Sequence, residues 1–293
     1  MAMEQVDSRE VNPVRDDGTH DKQPTDLPRR VLTLAWVRTF VLAITFLSIL
    51  PMPTLVGVSR RELRHSVAWY PWVGAGLGVV AFAVQGLAGR VLPPLAAAGV
   101  ALGVYTLLTG GLHVDGLMDT ADALGSRHDR EASLAVMKDS RVGAMGVMAA
   151  VLLLGGKWSA LAALPSWDLW AFVAVPAVAR LSLVWSMTLA PGARSQGLGN
   201  LYAQGIQQST LWAAILSGVC WTFLPGLLEP QHGGMIWVDT IILWLWTGLL
   251  TLGFTRWMTH RFGGMTGDTY GALNELVEWS GWLLALVCLK LPW

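Results

Sequence analysis

Residues 110–125 read GGLHVDGLMDTADALG and set three carboxylates, Asp115, Asp119 and Asp122, into otherwise apolar surroundings. On an α-helix, at about 100° per residue, offsets of four and seven keep all three side chains on one narrow face. Three like charges that close repel one another unless a cation sits between them. Carboxylate oxygens are the ligands of hard cations, and Mg²⁺ takes one or two of them together with substrate phosphates and water. The chemistry this spacing suits is therefore that of a divalent metal acting on a phosphate group. The plain alternative is a solvated helix face at a membrane surface, but such a face normally mixes Lys with its acids at helical spacing, and this segment holds no cation. His113, two residues before Asp115, is a candidate general base, metal ligand or hydrogen-bonding spacer.

A second polar island, RFGGMTGDTYGALNE at 261–275, carries Asp268 and Glu275 seven residues apart and so on one helical face. These two acids are expected to complete a metal shell or to act as base. Its glycines, Gly264 and Gly267 among them, let backbone amides approach a ligand closely, as phosphate-binding turns do; more commonly such a segment is just a turn before a helix. Lys157 and Arg180 interrupt apolar stretches, which is costly in lipid unless they face a cavity or a partner. Lys157 also suits snorkelling from a helix end. Arg180, nearer mid-segment, suits a phosphate clamp or a counter-charge to the acidic cluster. The loop GARSQGLGN at 192–200 supplies Arg194, Gly197, Gly199 and Asn200 for nucleotide contact, and MKDSRVGAMG at 137–146 adds Arg141 among other polar groups.

The elements that must position these residues are membrane helices. The chain is 53% hydrophobic and only 14% charged, against about 25% charged in soluble domains, so its solvent is mostly the lipid bilayer. Uncharged stretches at 66–89, 91–112, 142–156, 181–192, 209–228 and 240–255 approach or reach the roughly 20 residues a spanning helix needs. The expected fold is all-α, a polytopic membrane protein of seven or eight segments in a single domain over 31–293. Residues 1–30 are polar and expected to be a disordered tail, with no cleavable signal peptide. A net charge of zero gives no case for nucleic acid as a partner. Cys220 and Cys288 show no paired or zinc-type spacing. The loops at 51–66, 113–141, 191–208 and 256–270 carry Lys or Arg, whereas the turns at 163–168 and 228–239 carry none. Up-and-down threading then puts every polar motif on the cytoplasmic side, with Arg90 alone on the other. Residues 31–50 resist this scheme, with basic residues on both sides, Arg38 inside, and Pro51 and Pro53 at the end; they are expected to be re-entrant or interfacial.

Taken together, GGLHVDGLMDTADALG, MKDSRVGAMG, GLGN and GGMTGDTYGALNE, with LPMP at 50–53 and YPWVGAGLG at 70–78, closely resemble the cobalamin synthases, the adenosylcobinamide-GDP ribazoletransferases. The likeness runs from about Arg38 to near the end of the chain. It implies a Mg²⁺-dependent enzyme of the bacterial cytoplasmic membrane that joins adenosylcobinamide-GDP to α-ribazole, or its 5′-phosphate, and releases GMP. On that resemblance Asp115, Asp119, Asp122, Asp268 and Glu275 hold the metal, while Lys157, Arg180, Arg141 and Arg194 steady phosphates. One departure stands out. The family's early motif carries an arginine before its Leu-Pro pair, and this chain reads Phe46, Leu47, Ser48, Ile49, so a phosphate contact from that position is missing here.

Two other classes compete. A CDP-alcohol phosphotransferase also uses helical aspartates, but its signature places an arginine a few residues after an Asp-Gly pair, and here Asp115-Gly116 is followed by Leu117, Met118, Asp119 and Thr120. A secondary transporter would use intramembrane charges for ion coupling and would show broken helices in two repeated halves. No such repeat is visible. Oligomeric state is not legible.

Overall fold

Lipid offers a backbone no hydrogen-bond partners, so apolar segments must satisfy their own amides as helices. The computed structural model of the chain describes residues 29–194, 205–228 and 236–290, and among them the only strand-like pairing is one isolated bridge, Gly192 with Met265. The helices are α1 (Arg29–Leu47), α2 (Arg60–Ser66), α3 (Tyr70–Ala88), α4 (Pro94–Leu108), α5 (Leu112–Gly125), α6 (Arg130–Val136), α7 (Ala144–Ala163), α8 (Leu169–Leu189), α9 (Gln208–Leu228), α10 (Ile236–Phe262) and α11 (Gly267–Cys288). A short 3-10 turn, Val67–Trp69, joins α2 to α3.

Five of these segments are long and apolar enough to cross a membrane, or six if α4 and α5 together form one broken crossing. The sequence suggested seven or eight, and three local features account for the difference. The apolar part of α1 covers only Leu34–Leu47. The run 91–112 ends at a bend of 86°, where Gly110 and Gly111 take φ of 61° and 66°, a left-handed conformation open to glycine at little cost. The last helix carries Asp268, Glu275 and Glu278, more charge than an apolar spanning window holds, and buries most of its first half.

The part of α1 from Trp36 onward lies against one end of the bundle. Arg38, midway along the helix, bonds Glu62 of α2 at 2.5 Å, and Trp36 and Phe40 pack edge-on against Trp69. Beyond them Phe46 stacks on Tyr70, and the Ile49 amide donates to the Leu108 carbonyl at 2.8 Å. Tyr70 opens α3 and Leu108 closes the antiparallel α4, so these contacts all fall at the same end of the bundle.

α8 forms the centre, buried almost without break from Trp170 to Val184. α3 lies closely along it. A Cβ at Gly74 would fall 2.2 Å from the Pro176 carbonyl oxygen, and one at Gly78 would fall 2.0 Å from that of Phe172. This is a small-xxx-small contact. Pro176 has no N–H to offer the Phe172 carbonyl four residues earlier, so Gly78 meets a carbonyl that its own helix leaves unsatisfied.

The basic loops meet at one end of the bundle. Met265 N donates to Pro191 O at 2.9 Å and Ala193 N to Met265 O at 2.8 Å. Arg261 Nη2 donates to the His128 carbonyl at 2.7 Å. α5 and α6 close this same end.

Candidate active site

The site lies where α5 and α11 cross, and the crossing is made of two glycines. A Cβ at Gly116 would come within 2.7 Å of the Asp268 carbonyl oxygen, and one at Gly271 within 3.2 Å of the His113 Cα. Without those side chains the backbones touch, and Asp268 in the first turn of α11 is brought alongside α5. A capping box fixes that turn: the Thr269 amide donates to Thr266 Oγ1 at 3.1 Å and the Thr266 amide to Thr269 Oγ1 at 2.8 Å. A carboxylate two residues into a helix also lies favourably at the positive end of its dipole.

Asp119 thereby sits in the field of Asp115, Asp268 and Asp122, opposed by Arg194. Arg194 Nη2 stands 3.7 Å from Asp268 Oδ2, with both side chains 26% exposed, and it donates to the Leu134 carbonyl at 3.2 Å. Asp115 is exposed and Asp119 half-buried. Three carboxylates and one guanidinium thus converge from α5, α11 and the loop after α8, open to solvent.

The other expected site residues lie elsewhere, each for a physical reason. Asp122 accepts from the Gly143 amide at 2.8 Å and the Gly146 amide at 2.8 Å, so both oxygens are engaged at the N-terminus of α7 as a cap supplied by a neighbouring helix. Glu275 shares a face with Asp268 but lies seven residues on, about 10 Å deeper along the helix. There its Oε2 accepts from Lys157 Nζ at 2.6 Å. Lys157 and Arg180 are 1% and 0% exposed, and neither is a phosphate clamp in this arrangement. Lys157 also bonds Glu278 at 2.5 Å, while Arg180 bonds Glu278 and, at 2.7 Å, the Tyr105 hydroxyl. They are counter-charges, but to the acids of α11 and not to the α5 cluster. Glu278 and Tyr105 went unnoticed in the sequence; two cations inside apolar stretches call for two anions, and Glu278, three residues after Glu275, was the available second one.

His113 is 4% exposed and lies inside the α5–α11 contact, turned away from the solvent side where Asp115 is found. Arg141 pairs with Asp139 at 2.5 Å on the surface, and this guanidinium holds the Asp139 carboxyl down at about 2. The close approach allowed by Gly264 is to Pro191–Ala193 of the same chain, since a Cβ there would fall 2.4 Å from the Pro191 carbonyl oxygen. Gly267 faces open space. Gly197, Gly199 and Asn200 lie outside the described residues.

Among the described residues no three His, Cys, Asp or Glu side chains are placed to hold a metal on their own, so the five-carboxylate shell expected from the sequence is not assembled. The remaining set, Asp115, Asp119 and Asp268, still fits an ion such as Mg²⁺, which commonly takes one or two protein carboxylates and completes its shell with water and substrate phosphates. The observation behind that fit is the crowding of like charges around Asp119 with one opposing cation.

Next to Asp115 a cleft of about 570 Å³ opens between the end of α1, the end of α4 and the start of α5.

The family model for cobalamin-5-phosphate synthase matches residues 39–287. An adenosylcobinamide-GDP ribazoletransferase of Brevibacillus brevis is 40% identical over 246 residues, 83% of this chain and 95% of the relative. One of Desulforamulus reducens is 41% identical over 253 residues, covering 85% and 95%, and one of Rhizobium etli is 38% identical over 243 residues, covering 80% and 91%. No solved structure matches the chain.

Proposed function

Because this chain belongs to the cobalamin-5-phosphate synthase family, we propose that it transfers the adenosylcobinamide phosphate group of adenosylcobinamide-GDP to α-ribazole or its 5′-phosphate, with release of GMP, where α5 crosses α11. Relatives named for that activity, alike over most of this chain, support the reading. The observation that carries it at the level of the site is the convergence of Asp115, Asp119 and Asp268 with Arg194.

In this reading a ribose hydroxyl of the acceptor attacks the phosphorus on the cobinamide side of the anhydride. A new P–O bond forms as the bond from that phosphorus to the bridging oxygen breaks, and GMP leaves with that oxygen. The hydroxyl proton passes to a carboxylate of the cluster not engaged with the metal, one of Asp115, Asp119 and Asp268; Glu275, already bound to Lys157, does not take that role in this reading. One or two of these aspartates, with water and substrate phosphates, would hold Mg²⁺, whose charge when bound would offset that of the anhydride oxygens. Arg194 supplies the cation for a phosphate oxygen. The basic loops at this end of the multi-pass bundle support a cytoplasmic orientation, where soluble nucleotide substrates arrive, with the bulky corrin at the membrane surface beside it.

The test is purified protein in detergent or liposomes with adenosylcobinamide-GDP, α-ribazole and Mg²⁺, products being followed by chromatography. Cobalamin and GMP are expected in equal amounts, with loss of turnover on EDTA treatment and recovery on adding Mg²⁺. Absence of both products would overturn the reading, and solute flux without a new covalent product would point to a transporter.

A further inference from the structure

Arg38 ties α1, α2 and the segment between them at one corner of the molecule: its Nε bonds Glu62 Oε1 at 2.5 Å and its Nη2 donates to the Val56 carbonyl at 3.1 Å. The other Glu62 oxygen, Oε2, accepts from the Ser59 amide at 2.8 Å and the Ser59 hydroxyl at 2.9 Å, within the capping box that opens α2. Both oxygens of Glu62 are thus engaged. Arg60 and Arg61 beside it stay exposed, and no ion pair among the described residues includes either. The same corner turns apolar side chains outward: Val56 is 84% exposed and Leu34 66%, with Trp36 and Val37 exposed as well. Apolar surface rimmed by charge marks a protein or membrane contact.

Depth decides between them. α2, the 3-10 turn and α3 form one stretch of 29 residues, Arg60–Ala88, about 43 Å long at a helical rise. A hydrocarbon core is about 30 Å thick, so roughly nine residues project from it. The charged end, Arg60–Ser66, is the one that can. Trp69 and Trp72, edge-on to each other, then stand at the level interfacial tryptophans take. Trp36 packs on Trp69 and brings α1 to the same level, which leaves Arg60 and Arg61 just above it, in the layer of lipid phosphates.

We propose that this corner is a docking surface for anionic phospholipids of the bilayer that the chain crosses. Arg60 and Arg61 meet headgroup phosphates, Arg64 adds a third positive charge one turn on, and Leu34, Val37 and Val56 lie among the upper parts of the acyl chains. Charge and apolar surface together select this occupant. A soluble phosphate would meet the arginines but leave the apolar side chains in water. A zwitterionic lipid would cover those side chains but bring each phosphate with its own cation. The contact forms no covalent bond and does not depend on the transfer reaction above.

The experiment titrates the full chain, purified in a neutral detergent, with phosphatidylglycerol or phosphatidylcholine and counts the lipid retained by native mass spectrometry. The wild type is expected to hold phosphatidylglycerol about tenfold more tightly or better. Arg60→Gln with Arg61→Gln should weaken phosphatidylglycerol binding about fivefold per arginine removed and leave phosphatidylcholine as it was, while Val56→Ser should weaken both lipids alike. Arg90→Gln, which changes an exposed cation at the far end of α3, should leave the titration unmoved. Glycerol 3-phosphate, the same anionic group without acyl chains, should not displace the lipid. Equal affinity of the wild type for the two lipids, a preference retained in the double variant, or an equal loss in Arg90→Gln would each overturn the proposal. Displacement by glycerol 3-phosphate would overturn it in favour of a soluble phosphate ligand. If the double variant does not fold, Arg61→Gln alone decides on the same readout.

Discussion

Asp119 and Asp122 stand three residues apart on one face of α5 with the same charge, yet their partners set them to different tasks. Asp119 lies in the field of Asp115 one turn before it and of Asp268 and Arg194 at the open junction, whereas Asp122 is tied to the Gly143 and Gly146 amides. Asp119→Asn should therefore bring product formation down to background with melting in detergent unchanged. Asp122→Ala should do the reverse at first, lowering the melting temperature, because two amides at the start of α7 lose their acceptor at a cost of about 1–3 kcal/mol. Circular dichroism melts alongside the GMP assay separate the two effects, and an Asp119→Asn enzyme with wild-type turnover would remove the cluster from the mechanism. The shared face of the three aspartates was legible in the sequence from their spacing. The division between them was not, because it depends on Gly143 and Gly146 being small enough for Asp122 to reach their amides, a contact between segments 21 and 24 residues away.

Helices in this bundle meet through glycine, and that fixes which parts of each element matter. α3 approaches α8 at Gly74 and Gly78, where an added Cβ would strike backbone oxygens, while Gly76 between them has nothing within 4 Å. Backbone cannot swing aside as a side-chain end can. Gly78→Ala should then force α3 away from α8 and cost on the order of 1–3 kcal/mol as overpacking does, whereas Gly76→Ala should be neutral or slightly stabilising through helix propensity. Thermal unfolding of the two variants checks this, and equal stability would mean that α3 and α8 are not in backbone contact. The same logic limits how far the elements could be read in advance. Apolar runs and basic loops were enough to mark most helices and the end of the bundle where the basic loops meet. Spacing along a helix gives its face but not its depth. Asp268 and Glu275 share a face, yet the crossing at Gly116 and Gly271 takes only Asp268 into the site. The 86° bend after α4 was also hidden, because Gly110 and Gly111 lie inside a stretch that reads as continuously apolar.

Across the whole molecule, what joins the carboxylate site to the bundle is a set of buried charges that sum to zero: Lys157 from α7, Arg180 from α8, and Glu275 and Glu278 from α11, with Tyr105 of α4 bonded to both Arg180 and Glu278. Four helices are held to common positions, and α11, which carries Asp268 at its solvent end, is the shared member. Burying ions is expensive, and a balanced set is worth little net, but removing one member leaves an uncompensated charge at a cost of about 3–5 kcal/mol. Lys157→Met should therefore lose most folded protein in detergent, since Glu275 and Glu278 would face only Arg180. Lys157→Met combined with Glu275→Gln restores neutrality and should recover much of that loss. Because these residues are 3% exposed or less and do not touch the open junction, the double variant should also keep measurable GMP release. A double variant that folds like the wild type yet is inactive would show instead that the network sets the position of Asp268, and a single variant as stable as the wild type would show that the four charges are not mutually dependent.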